Sequence, residues 1–225
     1  MKATGALAFI TIAVVGSACS QENSTEQYPS CQADLAPPVP TENFIPLDSP
    51  LVEFDYSVGF CYYVLGSGWD EGTRLVRVMG TVQRLLDTTD SAPLRQRSCT
   101  GAWYSCQSAP IIELTVHHDF DGIRLPGTRL YVFVGDPLPE DARDAYVGNR
   151  VILFGSILDP EDSPTVIASV PAILTIHNCY AFASNPETLT AEFGDRAVTE
   201  KEVVDLVERT IDIGIRECRH QVHAQ

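Results

Sequence analysis

Five apolar segments between residues 73 and 176 are patterned as β-strands, which predicts a mainly β fold. They are Thr73–Leu86, Ile111–His118, Arg129–Gly135, Arg150–Leu158 and Thr165–Ile176. In the second segment Ile112, Leu114 and Val116 alternate with polar residues, which indicates one buried face and one wet face. Gly80 interrupts the first segment, and a glycine within a strand often permits a bulge or a sharp bend.

The order of these segments resembles the OB-fold, a five-stranded barrel, here with a short helix between the third and fourth strands. Pro139–Tyr146 lies at that point and can form one or two helical turns. Val76–Val82 and Val151–Ile157 each carry an apolar run with a glycine near its end. The resemblance covers residues 73–176 and implies an OB-fold-like barrel of about 100 residues, enough to bury its own core.

Further elements are predicted on both sides of the barrel. Leu51–Tyr56 and Phe60–Leu65 read as extra N-terminal strands, and if they joined the sheet the alternative fold would be a β-sandwich. A C-terminal amphipathic helix is predicted over residues 199–218, because Thr199 and Glu202 have the spacing of a capping box. The apolar stripe expected to pack on the barrel comprises Val204, Val207, Ile211, Ile215 and Cys218.

The first 18 residues have the layout of an export signal. Lys2 precedes an uncharged, mostly apolar stretch that ends in small residues at Ala18. The stretch is shorter than the roughly 20 residues of a membrane-spanning helix. Val15–Cys19 resembles the cleavage box of bacterial lipoproteins, which are cut just before a lipidated cysteine. The resemblance implies a diacylglyceryl thioether (palmitate-type acyl chains) on Cys19 and an acylated amine, enough for stable membrane anchoring.

The residues next to Cys19 indicate the expected cellular location of the protein. Ser20, rather than Asp, follows Cys19, so the resemblance implies anchoring in the cell outer membrane, facing the periplasm. Gly16 stands where the family usually has Leu, and ordinary secretion after cleavage at the same bond is the alternative. Residues 19–50, rich in proline, are predicted to form a tether, and residues 51–225 a single domain.

The cysteine count fits an exported protein. If Cys19 carries lipid, an even number remains for disulfide bonds in an oxidising compartment. These six are Cys31, Cys61, Cys99, Cys106, Cys179 and Cys218. The short loop between Cys99 and Cys106 favours that pair. The other four could pair as Cys31–Cys61 and Cys179–Cys218, or crossed.

Charge and motifs restrict the functional classes. The chain has 15 Lys and Arg against 30 Asp and Glu, a formal net charge of −15. Such an acidic protein is not expected to bind nucleic acid, because phosphate contacts need a basic surface. The sequence contains none of the common hydrolase, metalloprotease, dinucleotide or phosphate-loop motifs. A non-enzymatic binding module is therefore predicted, and a purely structural envelope protein is one alternative.

The loop Asp87–Pro110 is the predicted ligand-binding segment, because OB-folds often bind ligands through the loop between strands one and two. It holds Arg95 and Arg97, then Trp103 and Tyr104 inside the proposed Cys99–Cys106 ring. Aromatic residues and arginine are the types that dominate interface energetics. An unknown protein or small molecule is the expected partner, in addition to the membrane that holds the lipid anchor.

A cluster at the end of the second strand suggests a second alternative, a metal-dependent envelope hydrolase. On regular alternation Glu113, His117, Asp119 and Asp121 would share the outward face, with His118 pointing the other way. An imidazole with two carboxylates could hold a divalent cation through His117, Asp119 and Asp121. Apart from that possible metal, the sequence predicts no cofactor.

Overall fold

The computed structural model describes residues 44, 46–47, 60–65, 74–98, 109–135, 145–157 and 166–213. The described chain is mainly β, as predicted, with seven strands in one sheet and short helices around it. Its elements are α1 (Phe60–Leu65), β1 (Arg74–Leu85), α2 (Thr88–Ser98), β2 (Ile111–Asp119), β3 (Arg129–Phe133), β4 (Arg150–Ile157), β5 (Val166–His177), β6 (Tyr180–Ala183), α3 (Glu187–Phe193), β7 (Val198–Thr199) and α4 (Glu200–Ile213).

Strands β1 to β5 are connected in the order of an OB-fold. β1 pairs antiparallel with β2 and β4, β2 pairs with β3, and β4 pairs with β5. β3 and β5 pair in parallel at Tyr131 with Val166 and Val132 with Ile167, which completes the circuit β1–β2–β3–β5–β4. This parallel seam is only two residue pairs long, so the barrel is partly open there. β6 and β7 continue the sheet beyond β5.

Alternate residues of the five strands fill the barrel, as the period-2 pattern predicts. The interior cluster includes Val76, Val78, Val82, Ile112, Leu114, Val116, Leu130, Val132, Val151, Leu153 and Ile173. Tyr146 is buried in the same cluster, and it belongs to the part of the predicted helical turn at Pro139–Tyr146 that the structure describes.

The outer side of β4 and β5 is covered by helices, which makes a second apolar layer. Ile152, Phe154 and Leu174 of the sheet pack with Val203 and Val207 of α4. β4 is therefore buried on both faces, which is why its sequence is an almost unbroken apolar run.

The predicted strand at Phe60–Leu65 is wrong, because these residues form the helix α1. Tyr63 and Val64 are buried in the outer layer with the residues of α3 and α4, so packing overrides the strand preference of an aromatic, β-branched sequence. The Val64 carbonyl also accepts a hydrogen bond from Arg77 Nη1 at 2.9 Å. The other predicted N-terminal strand, Leu51–Tyr56, lies outside the described residues.

The predicted loop Asp87–Pro110 begins with a helix, α2, that the sequence did not indicate. Asp87 Oδ1 accepts the backbone N–H of Asp90 at 2.7 Å, as an N-cap residue does. Leu94 packs with Leu86 and Phe133 in a third apolar cluster on the barrel. Burial of this side chain compensates for Pro93, which removes a helical hydrogen bond.

The C-terminal helix is confirmed over Glu200–Ile213, and residues 214–225 lie outside the described residues. Its capping box is present: Thr199 N–H donates to Glu202 Oε2 at 2.8 Å, and Glu202 N–H to Thr199 Oγ1 at 3.3 Å. The backbone hydrogen bond from Thr199 holds the pKa of Glu202 below its usual value. The buried stripe includes Val207, as predicted, but it is rotated towards Val203 and Thr210 and away from Val204 and Ile211, which are only partly buried.

A buried ion pair explains this rotation of the helix. Arg150 of β4 pairs with Glu200 in the first turn of α4, and Glu200 is buried. The pair holds Glu200 against the sheet, which turns Val203 and Val207 inward and leaves Val204 and Ile211 only partly buried.

Leu47, which lies within the predicted tether of residues 19–50, packs with the barrel. Leu47 is fully buried in the barrel cluster, and its N–H donates to Thr175 Oγ1 at 3.0 Å. The Phe44 ring lies 4.6 Å from His177 and 5.1 Å from Phe182, measured between ring centroids.

Cys179 lies in the two-residue turn between β5 and β6 and forms a disulfide bond. Asn178 and Cys179 both have positive φ, 47° and 70°, as a type I′ hairpin turn requires. Among the other cysteines of the predicted framework, Cys61 lies on α1 without a described side chain. Outside the described residues lie Cys19, Cys31, Cys99, Cys106 and Cys218, so the predicted pairing stays a prediction.

Candidate functional site

The outer side of β1, β2 and β3 differs from the helix-covered side, because it carries polar and charged residues. We call this surface the polar face and define it by Thr81, Arg84, Glu113, Thr115, His117, Arg129 and Tyr131. Strand register places Thr81 beside Thr115, and Thr115 beside Arg129. On the other side Thr81 lies next to Arg150 of β4, so a polar row crosses four strands.

A buried carboxylate organises the centre of the polar face. Arg84 Nε donates to Glu113 Oε2 at 2.8 Å, and Arg129 Nη1 lies 3.5 Å from Glu113 Oε1. Glu113 is buried, whereas the Arg84 and Arg129 side chains are 52% and 72% exposed. The hydrogen bonds to Glu113 and then Asp90 raise the pKa of Arg84. The arrangement presents two guanidinium groups to solvent beside one buried carboxylate.

A β-bulge changes the orientation of the two histidines from the one that the sequence predicted. In the β1–β2 register Met79 pairs with His118, but Gly80 pairs with Val116, so His117 is the extra residue. The alternation therefore shifts by one residue, and His118 lies on the outer side, with its Nε2 3.8 Å from Glu208 of α4. The prediction that His118 points the opposite way is wrong.

His117 is half-buried on the polar face and contacts its neighbour on β1. Its Nε2 lies 2.6 Å from Thr81 Oγ1. Burial lowers the pKa of His117, and the positive charge of Arg150 lowers it further. The imidazole is therefore neutral at pH 7, and it offers hydrogen-bonding capacity rather than charge.

The two aspartates of the predicted metal cluster are each held by an arginine. Asp119 accepts the N–H of Asp121 at 3.0 Å, the N–H of Arg124 at 2.7 Å and Arg124 Nη1 at 3.1 Å. Asp121 accepts Arg77 Nε at 2.8 Å. Over the described ranges, no three His, Cys, Asp or Glu side chains are placed to hold a metal ion. The geometry gives the metal hypothesis for His117, Asp119 and Asp121 no support.

The predicted binding loop starts on α2, beside the polar face. Arg95 Nε donates to Ser91 Oγ at 3.2 Å, and its guanidinium carbon lies 6.0 Å from the centroid of the Phe133 ring. Burial lowers the pKa of Arg95. Arg97 lies on α2 without a described side chain, and Trp103 and Tyr104 lie outside the described residues.

Asp90 connects α2 to the polar face. Its Oδ2 accepts Arg84 Nη1 at 2.6 Å, so the start of the loop and the Arg84–Glu113–Arg129 group are in direct contact. The described part of the loop therefore lies next to the polar face. The predicted binding residues Trp103 and Tyr104 follow it in the sequence.

Sequence patterns placed Glu113 on the wet face but did not indicate Arg84, Arg129 or Thr81. Residues of opposite charge on neighbouring strands can indicate such a group. To recognise the pair, one must know which residues of the two strands lie opposite each other, and the sequence alone does not give that register. The bulge at Val82–Arg84 moves Arg84 opposite Glu113, and this shift cannot be read from alternation alone.

No protein-family model, curated protein or solved structure matches the chain. Within the described ranges, none of the helices combines the length and apolar character needed to cross a membrane.

Proposed function

We propose that the chain is an outer-membrane-anchored envelope lipoprotein whose OB-like barrel binds a protein or small-molecule ligand without catalysing a reaction. The ligand contacts the polar face and the predicted binding residues Trp103 and Tyr104. The observation that carries the proposal is the asymmetry of the barrel, in which helices cover β4 and β5 while exposed Arg84 and Arg129 lie across β1 to β3.

The held position of the two guanidinium groups supports binding. Glu113 contacts both, so part of their side-chain freedom is already lost before a ligand arrives. Arginine donates through five N–H groups in a fixed plane, and the contacts to Glu113 and Asp90 use only some of them. The ligand-binding strands of OB-folds lie on the same side of the barrel.

The chemistry of the described residues supports a binding role over a hydrolase. Asp119 and Asp121 accept hydrogen bonds within their own loop and from Arg77, and His117 contacts Thr81. These contacts engage the three side chains with other parts of the fold, and among the described residues no three His, Cys, Asp or Glu side chains are placed to hold a metal ion.

The sequence of residues 1–19 supports the envelope location, since a lipidated Cys19 would hold the barrel at a membrane. The disulfide at Cys179 is consistent with an oxidising compartment such as the periplasm. The seven-cysteine count, one for lipid and six for disulfides, agrees with both.

Site-specific photo-crosslinking in the source cells tests the proposal. A benzophenone amino acid replaces Tyr131 on the polar face, Trp103 in the loop, or Phe193 on the helix-covered side as a matched aromatic control. We expect a discrete adduct from Tyr131 and Trp103 and none from Phe193. Folded protein without an adduct at either site would instead favour a purely structural envelope role.

A further inference from the structure

We propose that the loop between β2 and β3, residues 120–128, contacts the surface of a zwitterionic lipid bilayer and inserts Ile123 and Leu125. At 72% and 79%, these two side chains are the most exposed large hydrophobic residues in the described part of the chain. The inference rests on the proposed function in one respect, because the anchor on Cys19 brings the loop to the membrane.

The loop is built to hold these side chains outward. Asp119 accepts hydrogen bonds from the N–H groups of Asp121 and Arg124 and from the Arg124 guanidinium. Gly122 and Gly127 have φ values of 65° and 86°, which few other residues adopt, and they set the two turns. Ile123 and Leu125 are thus presented by a fixed backbone, with little ordering required on insertion.

The charges of the loop are withdrawn from its tip. Arg124 turns back onto Asp119, and Asp121 pairs with Arg77, and these loop side chains are largely buried. Between Gly122 and Gly127 the exposed residues are therefore uncharged, with Pro126 beside Leu125. Insertion of this tip places no unpaired charge in the lipid.

Backbone hydrogen bonding limits how deeply the loop can enter a bilayer. Six of its eight N–H groups donate within the chain, and the acceptors lie on Arg77, Val116, Asp119 and Leu125. The other two, the N–H groups of Ile123 and Leu125, make no such bond within the described part of the chain. The interior of a bilayer supplies no hydrogen-bond partners, so the two side chains insert while their backbone stays at the hydrated headgroup level.

The free energy expected from burying Ile123 and Leu125 is that of a weak contact that adds to a lipid anchor. Full burial of an Ile or Leu side chain contributes about 1.5–3 kcal/mol, so two side chains alone bind weakly. An anchor raises the effective concentration of the loop at the membrane. Residues 20–43 would reach about 80 Å at full extension, enough for the loop to meet the surface. The net charge of −15 favours zwitterionic over anionic lipid.

Fluorescence quenching by brominated lipid tests the loop directly. The full mature chain with Cys19→Ser carries a C-terminal hexahistidine and is held on phosphatidylcholine vesicles with nickel-chelating lipid. Leu125→Trp is compared with Val147→Trp, an exposed apolar control between β3 and β4, and with the parent chain. Both substituted side chains are solvent-exposed, so the fold should be retained.

We expect brominated phosphatidylcholine to reduce the emission of Leu125→Trp and to leave Val147→Trp and the parent unchanged. Unquenched Leu125→Trp, or equal quenching of both variants, would overturn the inference and leave the loop as a surface for a protein partner. Flotation of the native protein with vesicles reports separately on the Cys19 anchor. A failed anchor is therefore distinguishable from a loop that does not insert.

Discussion

At the scale of single residues, arginine accounts for most of the partly buried charge pairing. Only two of the 15 basic residues are lysine. Buried or partly buried carboxylates at Glu113, Asp119, Asp121 and Glu200 each contact at least one guanidinium. The planar guanidinium suits such sites because it donates several hydrogen bonds to a carboxylate. These pairs fix positions on the barrel surface, and two of them involve Asp119 and Asp121, the carboxylates of the predicted metal cluster.

His117 makes the free energy of unfolding depend on pH. Its pKa is lowered in the folded state, by burial and then by Arg150. Above about pH 6.5 the imidazole is neutral in both states. Below that pH the unfolded chain binds a proton that the folded chain resists, so stability falls until the folded pKa is reached. Denaturant unfolding of the wild type should show this loss.

The matched variants separate His117 from the other titrating groups. His117→Asn should lose the part of the pH slope between about pH 6.5 and the folded pKa. His118→Asn, next to it on the bulge, should retain the slope because His117 is still present. A His117→Asn variant with the slope of the wild type would contradict the assignment.

At the scale of secondary-structure elements, alternation predicted all five barrel strands to within about two residues, because buried strands have a period of two. The helices α1 and α2 were missed for a different reason. Their sequences favour a strand or a loop, and Tyr63 and Leu94 make them helical by packing on other parts of the fold. Such contacts are remote in sequence, so a local pattern cannot report them.

The candidate site was less predictable than the strands. Alternation alone put Glu113 and His117 on the wet face, but the two bulges decide which residues lie beside them. A shift of one residue reverses every side chain that follows, which is why Asp119 and His118 differ from expectation. Trp103 and Tyr104, the aromatic residues of the predicted ligand-binding loop, lie outside the described residues and remain a prediction.

Gly80 is required because β2 approaches β1 closely at this position. A Cβ atom there would lie 2.9 Å from Leu114 Cγ and against the Thr115 carbonyl oxygen. Gly80→Ala should therefore reduce the free energy of unfolding by about 1–3 kcal/mol, the range for overpacking. Gly148→Ala is the control, since space around it is open and only its φ of 86° is unfavourable. Equal midpoints for Gly80→Ala and the wild type would contradict this role.

The capping box at α4 gives a second prediction for an element. Thr199→Ala removes the hydroxyl that accepts the Glu202 N–H, and it should reduce the free energy of unfolding by about 1 kcal/mol. Thr199→Ser keeps the hydroxyl and should remain close to the wild type. Chemical denaturation of the three proteins measures the difference, and equal losses for both variants would show that the methyl group matters instead.

At the scale of the whole molecule, the barrel is covered by helices on one side and polar on the other. The buried segment at Leu47 connects the N-terminal region to the barrel, so a chain anchored at Cys19 would hold the domain through residues 20–43. In that arrangement the β2–β3 loop would supply the proposed second membrane contact, and the polar face would be left for the proposed ligand. The proposed envelope location depends on the anchor at Cys19.

The intact mass of the native protein from the membrane fraction, taken before and after reduction, tests that dependence most directly. We expect cleavage before Cys19, the added mass of acyl chains on it, and a gain of six hydrogens on reduction of the six remaining cysteines. A soluble product without acyl chains would contradict the anchored arrangement. It would make the protein a secreted one, with Cys19 removed, free or paired.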